Sequence, residues 1–266
     1  MKILQATILT PLLAVCLMSP AFARPPETGF LDRTISVAGE TYRYQVFVPF
    51  AWDKRQSWPV ILFLHGAGER GDDGLLQTDV GLGHAIRENA ANFPFVVVMP
   101  QCRKEKVWSE PAMQAQALAA LDRTTKEFHG DPGRTYLTGI SMGGYGTWDL
   151  AAKLSRRFAA YVPVCGGIHG PPHFPDLSVG VVSDPKVSDP YAETARRIGR
   201  TPVWIFHGDA DPTVPVEESR KMYAALQAAQ AKVKYTEYPG VGHESWNHAY
   251  AEPNLVPWLL EQHGQH

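Results

Sequence analysis

A serine hydroxyl is a weak nucleophile at neutral pH. It attacks a carbonyl only when a base within hydrogen-bond reach takes its proton and a carboxylate orients that base. This chain carries the three residue types in the order Ser, Asp, His. Ser141 stands in Gly139-Ile140-Ser141-Met142-Gly143, after a β-type run from Thr135 to Thr138 and before a helical pattern that reaches Leu154. Strand, Gly-x-Ser-x-Gly and helix together read as a nucleophile elbow, a tight turn that lifts the hydroxyl above the sheet. A side chain at Gly139 or Gly143 would strike the turn's neighbours. The same turn aims the first N–H groups of the helix at the reaction centre, where a developing anion is stabilised.

For the base we select His243, in a glycine-flanked turn (Gly240-Val241-Gly242-His243) after the last strand. His248, five residues on, is the alternative. His207 still belongs to a strand end and reads as structural. His65 opens a glycine loop and shapes it. His84, His129, His263 and His266 read as surface residues, and His169 and His173 as solvated loop residues. For the acid, Asp209 and Asp211 compete, both following the Val203–Phe206 run. Asp211 sits before Pro212 in a loop that has left the strand, whereas Asp209 has the look of a turn former capping its own backbone. The oxyanion needs two donors. Met142 N–H, directly after the nucleophile, is one; Ala67 N–H, in the loop after Val60–Leu64, is the other.

Alternating strands and helices must position these groups. Phe30–Val37 and Tyr42–Val48 alternate apolar and polar residues around Ala38-Gly39-Glu40-Thr41, which predicts an antiparallel hairpin with one solvated face. Pro59–Leu64, Phe95–Met99, Thr135–Thr138, Phe158–Val164, Pro202–Phe206 and Val233–Tyr238 are buried-strand runs. Helical patterns fall at Gly83–Ala91, Pro111–Phe128, the segment after Ser141, Tyr191–Ile198 and Val216–Gln230; the loop at Gly240–His243 opens into a short helix, and Leu255–Gln262 ends the chain. Cys165–Pro190 has no period and five prolines; so long a loop in a compact domain is a lid or pocket wall. With no repeat or linker, the alternation predicts one α/β domain with a mainly parallel sheet. Reactive groups then collect at the carboxyl ends of the strands.

The 266 residues are 44% hydrophobic and 20% charged, with a net charge of −2, a globular composition that gives no electrostatic case for nucleic acid or an anionic membrane surface. Residues 1–23 read as an export signal: Met1-Lys2, an apolar stretch from Ile3 to Met18, then Ser19-Pro20-Ala21-Phe22-Ala23 ending small-x-small. Pro11 and Pro20 interrupt the short apolar run, which argues against a permanent span, and Val15 before Cys16 argues against a lipid anchor. The mature domain is then 24–266, periplasmic or secreted, with no stable membrane anchor.

Four segments carry a family resemblance: His65-Gly66-Ala67-Gly68-Glu69-Arg70-Gly71, Gly139–Gly144, His207-Gly208-Asp209-Ala210-Asp211-Pro212-Thr213-Val214-Pro215 and Gly242-His243-Glu244-Ser245-Trp246. Together they resemble the α/β-hydrolase superfamily, in its branch of phospholipase/carboxylesterases, feruloyl and polyhydroxybutyrate-depolymerase-like esterases and predicted peptidases of prolyl-oligopeptidase type. The resemblance runs from about Pro59 to the C-terminus. It implies a single α/β-hydrolase domain with helices on both faces of the sheet, to which the antiparallel hairpin read above adds at the N-terminus. It places the acid at Asp211 and suggests that Pro100-Gln101-Cys102, Trp108 and Cys165-Gly166-Gly167 wall the acyl pocket.

Gly66, Trp108 and Trp246 are the candidate substrate contacts. Glu69, Arg70, Asp72 and Asp73 read as a solvated loop tip. A hydrolase strand order would set the strands before Cys102 and Cys165 three places apart, roughly 14 Å, too far for a disulfide. The expected activity is serine-dependent hydrolysis of carboxylic esters with short-chain, aryl or sugar-linked acyl groups, on a small-molecule or oligosaccharide ester. No cofactor is called for, and no residue spacing suggests a metal site. An exported peptidase with the same triad is the alternative. A catalytically silent binding protein is a third reading, opposed by the full set of three residue types.

Overall fold

The computed structural model describes residues 27–264; the expected export signal, 1–23, lies outside the described residues. A two-residue turn at Ala38-Gly39, both with positive φ, joins β1 (Gly29–Val37) to β2 (Glu40–Val48) as a regular hairpin. Then follow β3 (Trp58–Leu64), α1 (Leu82–Glu88), β4 (Val96–Pro100), α2 (Pro111–Glu127), β5 (Gly130–Ile140), α3 (Met142–Lys153) and β6 (Ala160–Val164). The chain continues through α4 (Pro190–Ile198), β7 (Val203–Gly208), α5 (Glu217–Ala228), β8 (Val233–Tyr238), α6 (Trp246–Tyr250) and α7 (Leu255–Leu260). The eight strands form one sheet in the order β1-β2-β4-β3-β5-β6-β7-β8. The hairpin joins it antiparallel through β2 and β4, and every pairing from β4 to β8 is parallel.

Side-chain alternation along the buried strands divides the core into two layers. Val60, Leu62 and Leu64 of β3 enter one layer, which Met113, Ala117 and Leu121 of α2, Trp148 of α3, Ile198 of α4 and Met222 of α5 complete. Ile61 and Phe63 enter the other, with Leu82 and Ile86 of α1, Ala249 of α6 and Trp258 of α7. Each of the valine, leucine, isoleucine, phenylalanine and methionine side chains contributes about 1.5–3 kcal/mol on leaving water. The helices therefore lie on both faces, as the resemblance implied, and the sheet is mainly parallel.

Two expectations need correction. The hairpin does not keep one solvated face throughout, because β2 is buried continuously from Tyr44 to Val48. It is an interior strand, paired on both sides, and even its Gln45 is buried, donating from Nε2 to Gly74 O at 2.7 Å. β5 begins at Gly130, five residues before the expected Thr135–Thr138 run, because pairing with β3 extends there past an irregularity between Trp58 and Val60. Cys102 and Cys165 are free and buried, as expected.

Candidate active site

Four loops meet above the carboxyl ends of β3, β5, β7 and β8. Ser141 ends β5 and starts α3 with φ +51° and ψ −118°, a strained backbone for a residue with a side chain. Its N–H is held by Val164 O at 3.0 Å. The flanking glycines are obligatory. A Cβ at position 139 would stand 2.2 Å from Gly143 O, and one at position 143 would stand 1.9 Å from Leu64 O.

His243 Nε2 lies 2.8 Å from Ser141 Oγ, and its Nδ1 lies 2.7 Å from Asp211 Oδ2. With the proton on Nδ1 and donated to the carboxylate, Nε2 is free to accept from the serine hydroxyl. Asp211 is fixed in turn. Its Oδ1 accepts the N–H groups of Thr213 at 2.8 Å and Val214 at 2.9 Å. Its Oδ2 also lies 3.2 Å from His207 Nε2. His207 Nε2 is 3.1 Å from Val214 O, which can only accept, so that nitrogen carries the proton and Nδ1 accepts from Ser219 Oγ–H at 2.7 Å. Burial alone would raise the Asp211 carboxyl; hydrogen bonds from His207, His243 and Val214 outweigh it and hold the group well below the usual carboxylate range.

Of the two aspartates, Asp211 meets His243. Asp209 does not cap its own backbone: its Oδ1 accepts Gly240 N–H at 2.6 Å, tying the loop after β7 to the loop after β8. His248 is exposed and lies against Tyr238, away from Ser141. His207, read as structural, is buried, but its contact with Asp211 escaped the sequence reading. The available signal was its place near the end of the strand that leads to Asp211, four positions before it.

The loop after β3 is braced from beneath. His65 Nε2 accepts Cys102 N–H at 2.9 Å, so its proton sits on Nδ1 and is donated to Gly66 O at 2.6 Å. Burial pushes this imidazole down to about 4, so it is neutral. Because the 66–67 peptide is trans, anchoring Gly66 O on His65 turns Ala67 N–H the opposite way. Neither Ala67 N–H nor Met142 N–H has a hydrogen-bond acceptor among the described residues. Trp108 is not a pocket wall. It is buried behind the loop and donates from Nε1 to His65 O at 2.9 Å.

A cleft of about 950 Å³ opens over Ser141 and is lined by Gly66, Ala67, Met142, His243, Trp246 and the segment Pro171–Leu177. Pro100-Gln101-Cys102 and Cys165-Gly166-Gly167 do not reach it. They are buried supports, Gln101 holding Gly74 N–H at 2.7 Å and Gly166 packing on Gly144. Asp72 and Asp73 are exposed, but Glu69 and Arg70 are partly buried in the cleft wall rather than at a solvated tip. Burial raises the Glu69 carboxyl, against weaker lowering by the Glu69 and Gly66 N–H groups. His173 lines the cleft, while His169 turns to Tyr191.

The segment between β6 and α4 is pinned at both ends by buried carboxylates. Glu218 Oε2 accepts the N–H groups of Ile168 at 2.8 Å and His169 at 2.9 Å, and Asp149 Oδ1 accepts Gly180 N–H at 2.7 Å. Val179 N–H to Ile168 O, 2.9 Å, closes the loop on itself. Only its middle part walls the cleft.

Comparison with known proteins gives a consistent picture. A model of the dienelactone hydrolase family matches residues 81–253, which include Ser141, Asp211 and His243. The crystal structure of a thermostable esterase is similar at TM-score 0.74 and 32% identity, covering 88% of this chain and 63% of that one. An uncharacterized secreted protein of Arthroderma benhamiae is 26% identical over 207 residues, 72% of this chain and 22% of its own. The feruloyl esterase module from Clostridium thermocellum shares the fold, at TM-score 0.64 and 16% identity over 89% of each chain. The chain spans less than a third of the length of the curated relatives it matches.

Proposed function

This chain belongs to the dienelactone hydrolase family of the α/β-hydrolase superfamily, and from that premise we propose that it is an exported serine esterase. Ser141 Oγ attacks the ester carbonyl while His243 Nε2 takes its proton. Asp211 holds the histidine tautomer and stabilises the imidazolium. The N–H groups of Met142 and Ala67 receive the tetrahedral oxyanion. His243 returns the proton to the leaving alcohol, and water repeats the sequence on the acyl-enzyme, releasing the acid. The observation that carries this reading is the continuous chain from Ser141 Oγ to His243 to Asp211, at 2.8 and 2.7 Å. Support also comes from the esterase of known structure at 32% identity. Export is supported by the pattern of residues 1–23 and by the secreted relative.

The test uses protein expressed with its own N-terminus, which mass spectrometry should find to begin at Arg24. It should hydrolyse short p-nitrophenyl esters and methyl ferulate, and Ser141→Ala should reduce that rate by about 10⁴-fold or more. Cleavage of aminoacyl p-nitroanilides with little ester turnover would replace the esterase by a peptidase. Ester turnover that survives in Ser141→Ala would refute the nucleophile.

A further inference from the structure

Trp246 opens α6 and belongs to two depressions at once. On one side it lines the cleft over Ser141; on the other it lines a groove of about 610 Å³ between α1 and α6. Val80 and Gly81, consecutive in the chain, make the opposite wall of the same junction, Val80 in the cleft and Gly81 in the groove. The Trp246 ring stands nearly perpendicular to His243, 5.4 Å between centroids, so a ligand portion leaving the reacting carbonyl past His243 meets the indole next.

Beyond Trp246 the groove presents amides and the carboxylates of Glu88 and Glu252, which accept hydroxyls and disfavour an anionic ligand. Asn89, Asn92 and Asn247 are exposed and line it. Asn92 Nδ2 donates to Asn89 Oδ1 at 3.0 Å, which leaves the Asn89 amino group and the Asn92 carbonyl unengaged. The Asn247 amide makes no hydrogen bond to a described residue. An indole beside side-chain amides is the chemistry of a polyhydroxylated, uncharged ligand: the ring covers an apolar sugar face, and the amides match hydroxyls as both donors and acceptors. Peptide binding by strand addition is unavailable, because the sheet's free edges are β1 and β8, not the strands beneath α1 and α6. Among the described residues no arginine or lysine lines the groove, as a phosphate-bearing ligand would need.

We propose that this groove is a subsite for the glycan portion of the substrate, a neutral oligosaccharide whose ester carbonyl sits at Ser141. The proposal rests on the esterase reading above and names the class of alcohol it acts on. Glycan units in the groove add binding in ground and transition state alike, so their contribution appears in KM more than in kcat.

The experiment compares p-nitrophenyl acetate with singly acetylated xylo-oligosaccharides from the monosaccharide to the tetrasaccharide. It uses the wild-type protein, the double variant Asn89→Ala/Asn92→Ala and the single variant Asn247→Ala. In the wild type KM should fall as sugar units are added. In the double variant KM for the longer oligosaccharides should rise about tenfold, the size expected of two neutral hydrogen bonds, with p-nitrophenyl acetate unchanged. Chain-length-independent KM, or equal losses on both substrates, would overturn the subsite. So would a loss confined to long-chain acyl esters, which would make the groove an acyl channel. Wild-type protein that fails on p-nitrophenyl acetate as well would overturn the esterase reading itself.

Discussion

Asp211 accepts more hydrogen bonds than orienting one histidine requires. Thr213 and Val214 hold one oxygen, and His243 and His207 share the other. Its folded pKa is depressed, so the stabilisation it gives is present above the unfolded carboxylate value of about 4 and disappears only as pH falls through the lower folded value. The carboxylate therefore stays charged across the working range. Asp211→Asn should lower kcat by about 10⁴-fold, by presenting the wrong tautomer, while Asp209→Asn should leave kcat within a few-fold. Steady-state kinetics of the two variants checks this, and the reverse ranking would move the acid to Asp209. The residues alone left the two aspartates in competition. Both follow one strand, and spacing does not say which way the loop turns; the Gly240 N–H bonded to Asp209 settles that, and it is a contact across 31 positions of chain.

At the scale of the element, the loop after β3 is held by a neutral, fully buried histidine. Unfolded, His65 has the ordinary value near 6.5; folded, burial holds it at about 4. As pH falls below about 6.5 the unfolded chain takes a proton that the native state refuses. Stability then declines until the folded group also protonates, by about 3 kcal/mol in all. Urea unfolding at pH 7 and at pH 4.5 should show this loss in the wild type and a markedly smaller one in His65→Gln; equal losses would refute the assignment. The alternation of strands and helices, the elbow and the order Ser, Asp, His were legible because each is written in local periodicity or in glycine spacing. The brace beneath the loop was not. Trp108 and Cys102 reach His65 from 43 and 37 positions away, and a tryptophan near a reactive loop reads equally well as pocket wall or buried prop. The burial of β2 was hidden for a related reason: its second partner, β4, lies after β3 in the chain.

For the whole molecule, two layers of core fix the strand ends, and Ser141, Asp211 and His243 stand just beyond those ends. The segment between Ile168 and Val179 is rooted in that frame by Ile168, Leu177 and Val179, which are buried in one core layer, while the stretch between them walls the cleft. Its ends are joined to each other and fastened to α3 and α5 through Asp149 and Glu218, neither of which touches the reacting atoms. Insertions or replacements inside the closed loop leave the sheet register and the elbow undisturbed, since loop closure costs grow slowly with length. Inheritance can thus act on the two halves of the proposed task separately, rewriting taste for substrate in a short stretch that lies between the positions carrying the chemistry. A library randomised at the exposed residues 172–176 should yield mostly folded, fluorophosphonate-reactive variants with shifted ester preferences. If most members instead lose reactivity at Ser141, the two halves are not separable.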